Sequence, residues 1–142
     1  MLSSREVLAR LPAHGYTLDG LLATRAAARA EHDALVYEGR TWTWRELQLG
    51  AGRVSAWFAA QDIARGDRVA IIASNSAAFV IAFLALGRLG ATLATINPDV
   101  STPDAAAILD RLDPALLLHG GGGTARALEA LVLFRHRILQ IL

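Results

Sequence analysis

Four histidines, two serines, a pair of aspartates and a run of four glycines are the places where this 142-residue sequence could do chemistry. His14, His32, His119 and His136 are scattered, and no two stand four apart, so no helix face would offer two ring nitrogens to one metal. Ser74 and Ser76 fall between an apolar strand-like run and a helix-like run, where a nucleophile elbow would sit. The flanking glycines of GxSxG are missing, and Ser76 reads instead as the cap of the helix that follows. Asp110 and Asp113 bracket Arg111. Two carboxylates share acid and base work only when burial splits their pKa values, whereas this pair sits at the polar end of an amphipathic helix before Pro114, the pattern of a solvated face or turn cap. Gly120 to Gly123 follow a buried strand pattern, as phosphate-cradling turns do, but GxGxxG is absent and a Walker loop needs a Lys that the chain does not contain. They read as a flexible joint. Trp42, Trp44, Trp57 and Tyr37 could stack nucleobases, but no basic stripe accompanies them, and packing is the simpler use.

Composition narrows the classes further. Hydrophobic residues make up 54% and charged residues 19%, a balance that favours a folded chain over a disordered one. All fourteen basic residues are Arg, against thirteen acids, for a net charge of +1. The charges are spread evenly along both halves, so no field gathers a polyanion and no nucleic-acid partner is expected. Without cysteine there is no disulfide, thiolate nucleophile or Cys-ligated metal. Met1 to Glu6 lacks the basic start and apolar run of a secretory leader, and a cytoplasmic location is the expectation. Val69 to Gly87 carries no formal charge over 19 residues, but Ser74-Asn75-Ser76 cuts it in two, so no transmembrane span is expected.

The elements that must position these residues are marked by breakers and caps. Ser3 to Leu11 reads as a short helix stopped by Pro12, and Thr17 as the N-cap of a helix to about Ala30. Leu35-Val36-Tyr37 and Arg40-Thr41-Trp42 around Glu38-Gly39 predict a hairpin. Thr43 and Glu46 have capping-box spacing for a helix to about Gln61, with Leu47, Val54, Trp57 and Phe58 near one face. From Arg68 the pattern alternates: strand to Ala73, helix Ala77 to Leu89 closed at Gly90, strand Ala91 to Ile96, helix Pro103 to Leu112 capped at Thr102, strand Ala115 to Leu118. Strands this apolar are buried on both faces and joined by right-handed crossovers. The fold class is therefore α/β: N-terminal helices and a β-hairpin followed by a βαβαβ parallel-sheet unit. Thr124 to Leu142 reads as a Leu-rich helix beyond the glycines.

Taken in order, Thr41-Trp42-Thr43-Trp44-Arg45-Glu46-Leu47, Ile63-Ala64-Arg65-Gly66-Asp67-Arg68-Val69-Ala70-Ile71, Asn75-Ser76, Leu86-Gly87-Arg88-Leu89-Gly90-Ala91 and Ile96-Asn97-Pro98 form a series. It resembles the N-terminal part of the AMP-forming adenylating enzymes, the group of acyl-CoA synthetases, peptide-synthetase adenylation domains and luciferases. The resemblance covers about Thr17 to His119, and the Asn-Pro ending is closer to the acyl-CoA synthetases. It implies that the fold is an incomplete part of the large N-terminal domain of such an enzyme. It also implies a parent ligase that activates a small carboxylic acid with ATP and Mg as an acyl-adenylate and passes the acyl group to coenzyme A.

The departures from that pattern are large. The Gly/Ser/Thr-rich phosphate loop, the later nucleotide and magnesium motifs, the hinge and the C-terminal subdomain are not in these residues, and the family's catalytic Lys has no counterpart in a chain without Lys. No catalytic, cofactor-binding or metal position of the family maps onto this sequence, and no cofactor is expected for this chain. The reading is a truncated N-terminal portion of an acyl-CoA ligase, inactive alone, with residues 1–119 as a partial AMP-binding domain and 120–142 as a Gly-rich joint and apolar C-terminal helix. An α/β protein-interaction module acting through that helix is the alternative, with peripheral membrane attachment by the same helix as a third. Because the sheet is incomplete, self-association through an unpaired edge and the C-terminal helix, or marginal stability, is expected of the isolated chain.

Overall fold

A computed structural model describes residues 17–120 and the backbone of 137–141, with Ser3 and Gly15 besides. The expected helix from Ser3 to Leu11 lies outside the described residues. The first described element is α1 (Leu18–Arg29), whose N-cap Thr17 accepts the Gly20 N–H at 3.0 Å. Strands β1 (Asp33–Tyr37) and β2 (Arg40–Thr43) form the antiparallel hairpin, with Leu35 opposite Trp42 and Tyr37 opposite Arg40. Its two turn residues both have positive φ, 47° at Glu38 and 76° at Gly39. Such a turn matches the twist of the strands it joins. Helix α2 (Trp44–Ala60) starts from the Thr43 and Glu46 capping box, both halves of which are formed.

A parallel sheet follows: β3 (Arg68–Ile72), α3 (Ala77–Leu89), β4 (Thr92–Ile96), α4 (Thr102–Leu112) and β5 (Leu116–Gly120). The strand order is β4-β3-β5-β6, where β6 (Arg137–Ile141) runs parallel to β5 in the register Leu116 with Arg137. Because β3 and β5 are interior, their side chains divide between two cores. Val69, Ile71, Leu116 and Leu118 meet Phe58 of α2 and Ala82, Ala85 and Leu86 of α3 on one face. Ala70, Ile72 and Leu117 meet Leu109 of α4 on the other. A third cluster joins α1 and α2 through Leu22, Leu47 and Ala51, with Leu35, Trp42 and Ile81 packed against it. The apolar run in β3 thus reflects burial on both faces, as expected for a parallel sheet.

Three expectations are corrected. Residues 137–141 are a strand rather than part of a helix, because β5 offers an open edge that the Ile-Leu-Gln-Ile sequence can continue. The remainder of that expected helix lies outside the described residues. The cap of α4 is Ser101, whose hydroxyl accepts the Asp104 N–H at 3.3 Å, so the helix begins at Thr102 with Pro103 inside its first turn. Trp57 is 41% exposed while Phe58 is 1% exposed, since neighbours about 100° apart on a helix cannot both face a narrow core stripe. Among the described residues no helix is long and apolar enough to cross a membrane.

Candidate functional site

In a parallel sheet of this kind, ligands bind beyond the carboxyl ends of the strands, where successive connections leave in opposite directions. Here that point lies between β3 and β5: the chain leaves β3 through α3 to reach β4, then returns through α4 on the other face to β5. The residues gathered at this edge are Ser74, Asn75 and Ser76 after β3, Asn97 after β4, and His119 and Gly120 closing β5.

Two of these side chains are committed to the backbone. Ser76 Oγ accepts the Phe79 N–H at 3.1 Å and caps α3, as the sequence predicted. Asn97 Oδ1 accepts the Asp99 N–H at 2.9 Å and its carbonyl accepts the Val100 N–H, a turn that leads into the Ser101 cap. Ser74 and Asn75 are exposed. His119 is half-buried, aligned with Ile72 across the β3–β5 ladder. Gly120 answers a packing need, since a Cβ there would stand 3.1 Å from the Ala73 Cβ. Its lack of a side chain lets the ends of β3 and β5 approach. Gly121 to Gly123 lie outside the described residues.

The other candidates disperse. His32 is exposed in the turn after α1, and His14 and His136 lie outside the described residues. Asp113 adopts a left-handed φ of 45° and closes α4 through its N–H to the Leu109 carbonyl at 2.8 Å, while Asp110 is exposed, so the pair acts as a helix terminus. Among the described residues no three His, Asp or Glu side chains converge on a point where a metal could bind. Tyr37 is held above its ordinary pKa of 10.0, chiefly by hydrogen bonding to Glu38, then by slight burial and the same residue's charge, so its phenol stays protonated at neutral pH.

One grouping was not singled out from the sequence. Arg40, Trp42, Glu46, Leu49, Gly50, Arg53 and Ile81 line a cleft of about 300 Å³ between the hairpin, α2 and α3. The Arg40 guanidinium carbon lies 4.5 Å from the centre of the Trp42 ring. The signal was the i, i+3, i+4, i+7 spacing of Glu46, Leu49, Gly50 and Arg53 on α2, but only the hairpin register brings Arg40 and Trp42 alongside it.

Comparison with known proteins gives this frame its family. The family model described as AMP-binding enzyme matches residues 22–138. The chain belongs to the AMP-binding enzyme family. The match extends beyond His119, where the motif resemblance ends, to residue 138. An acyl-CoA ligase, sidI, of Aspergillus fumigatus is 31% identical over 103 residues, covering 71% of this chain and 18% of the relative. A 4-coumarate–CoA ligase of Oryza sativa subsp. japonica is 32% identical over 98 residues, covering 68% and 17%. Among solved structures, VinN superposes with a TM-score of 0.82 at 25% identity, covering 91% of this chain and 32% of that one. The fatty acyl CoA synthetase of Mycobacterium tuberculosis shares the fold, with a TM-score of 0.81 at 23% identity over 88% of this chain and 26% of that one. The chain thus spans about a fifth of the length of these curated relatives, matching a portion of each.

Proposed function

We propose that the chain is the opening, sheet-bearing portion of an acyl-CoA ligase, and that these 142 residues alone do not form an acyl-adenylate. The observation that carries this reading is the pairing of a family fold with a charge inventory that cannot serve the reaction: fourteen basic residues, none of them Lys. Adenylation builds negative charge between a carboxylate and a phosphate, and preorganised positive charge must meet it. An Arg fork is a poor substitute for a compact ammonium in a tight site. At the carboxyl edge of the sheet Ser76 and Asn97 are held in a cap and a turn, and among the described residues no three His, Asp or Glu side chains converge to hold a magnesium ion. ATP, Mg, coenzyme A and a small carboxylic acid therefore belong to the proposal for a full-length ligase, with no step assigned to residues of this chain. Two sheet edges, on β4 and β6, have no further partner strand among the described residues, so self-association of the chain is part of the same reading.

The test is pyrophosphate release by the purified chain with ATP, Mg, coenzyme A and a panel of aliphatic and aromatic carboxylic acids. Release no greater than in a protein-free control is expected. Acid-dependent release that follows the protein through purification overturns the proposal.

A further inference from the structure

We propose that the cleft between the β1–β2 hairpin, α2 and α3 binds a small anionic amphiphile, its charged head held by Arg40 and Arg53 and its tail lying over Leu49, Gly50 and Ile81. Three features of the cleft point to this ligand.

The first is charge. Two arginines and one acid line the cleft, and that acid is already engaged, since a Glu46 carboxylate oxygen accepts the Thr43 N–H at 2.8 Å. Elsewhere the balance is reversed. Arg68 lines a cleft with Asp67 and Asp113, and Arg29 lines one with Glu31 and Asp33, so in those clefts carboxylates outnumber guanidinium groups. The ion pairs among the described residues use Arg45, Arg68 and Arg88, and neither Arg40 nor Arg53 is in one.

The second is geometry. Arg40 lies over the Trp42 ring at 4.5 Å, a position that restrains a long side chain while leaving its N–H edge available to an oxyanion. Arg53 stands on α2 one turn beyond Leu49 and Gly50, so a guanidinium is offered from the hairpin and another from the helix.

The third is the floor. Leu49 is 54% exposed, and at Gly50 the absence of a side chain leaves the Ile81 methyl groups open to the cleft, 3.6 to 3.7 Å from where a Cβ would stand. An apolar tail of a few carbons covers this surface, and about 300 Å³ suits a ligand of that size. Carboxylate and phosphate heads share the required chemistry.

The experiment uses the 142-residue chain and follows the indole N–H signals of Trp42, Trp44 and Trp57 by NMR, assigned with single Trp→Phe variants. Hexanoate and hexyl phosphate are the probes; hexanol, acetate and inorganic phosphate carry the tail or the head alone. One or both amphiphiles should shift the Trp42 signal saturably, and the tighter of the two identifies the head group. The single-feature controls should bind roughly tenfold more weakly or less, and Arg53→Gln should cost a similar factor, as loss of a charged hydrogen bond does. Arg40→Gln should act likewise. Arg53 is exposed, so its variant tests the site even where loss of the Arg40–Trp42 contact disturbs the hairpin. Hexanol binding as tightly as hexanoate, unchanged affinity in Arg53→Gln, or shifts confined to Trp57 would overturn the proposal.

Discussion

Thr43 serves two elements at once. It is the last residue of β2, aligned with Asp33, and it is the N-cap of α2, where its hydroxyl accepts the Glu46 N–H at 3.2 Å. Glu46 returns the favour through its carboxylate, so two otherwise orphaned backbone donors are satisfied within four residues. The neighbouring N–H of Trp44 reaches the His32 carbonyl at 3.2 Å, which ties the same corner to the start of β1. Removing the hydroxyl strands the Glu46 N–H and loosens the hinge between hairpin and helix. Thr43→Ala should therefore lower stability by about 1 kcal/mol, and Thr43→Ser should recover most of it. Urea unfolding followed by circular dichroism checks this, and an alanine variant equal to the parent would show that water replaces the cap without cost.

At the scale of elements, two glycines inside helices make opposite predictions. Gly50 in α2 has room for a side chain, because the nearest atom to an added Cβ is the Ile81 Cδ1 at 3.6 Å. Gly87 in α3 does not, because Leu18 Cδ1 would stand 3.0 Å away and Leu18 Cβ 3.3 Å, at the point where α1 crosses. Alanine relieves the helix-breaking tendency of glycine by about 0.5–1 kcal/mol at either site. Gly50→Ala should keep that gain. Gly87→Ala should lose it to crowding and finish about 1 kcal/mol less stable, with α1 pushed from α3 and the Asp19–Arg88 contact at 3.7 Å weakened. Thermal melts of the two variants should move in opposite directions; movement of both upward would mean that α1 yields freely. Elements of this kind were legible in the sequence wherever a short-range device ends them. Thr17, Thr43, Ser76 and Gly90 all act where their types and spacing placed them. The reading failed where the decision was made at a distance. Thr102 and Ser101 are both acceptable caps by type, and the backbone of the preceding turn selects Ser101. The strand at 137–141 is specified by its ladder to β5, a contact that local Leu content cannot report. The edge of the sheet was likewise unremarkable in sequence: Asn97 and Ser74 acquire a common position only through the strand order.

For the molecule as a whole, that strand order decides what the last residues are for. With β6 in place, β5 is an interior strand along five residue pairs, and Leu116, Leu117 and Leu118 are all buried. A docking helix would contribute little to the core, whereas a fourth sheet strand contributes backbone bonding and covers an edge. Removing residues 121–142 separates these two roles. The shortened chain would bare the β5 edge and lose the ladder, at a cost of roughly 3 kcal/mol from several net backbone hydrogen bonds. It would then present β5 instead of β6 as the edge opposite β4, and the β5 run Leu116–Gly120 has no proline and lacks the arginine with which β6 begins, so less discourages pairing with another copy. Light scattering at micromolar concentration should find larger species for the shortened chain than for the 142-residue one, and urea should unfold it earlier. A monodisperse monomer with an unchanged urea midpoint would mean that β6 adds nothing to the fold, and the tail would return to being a separate element with a separate task.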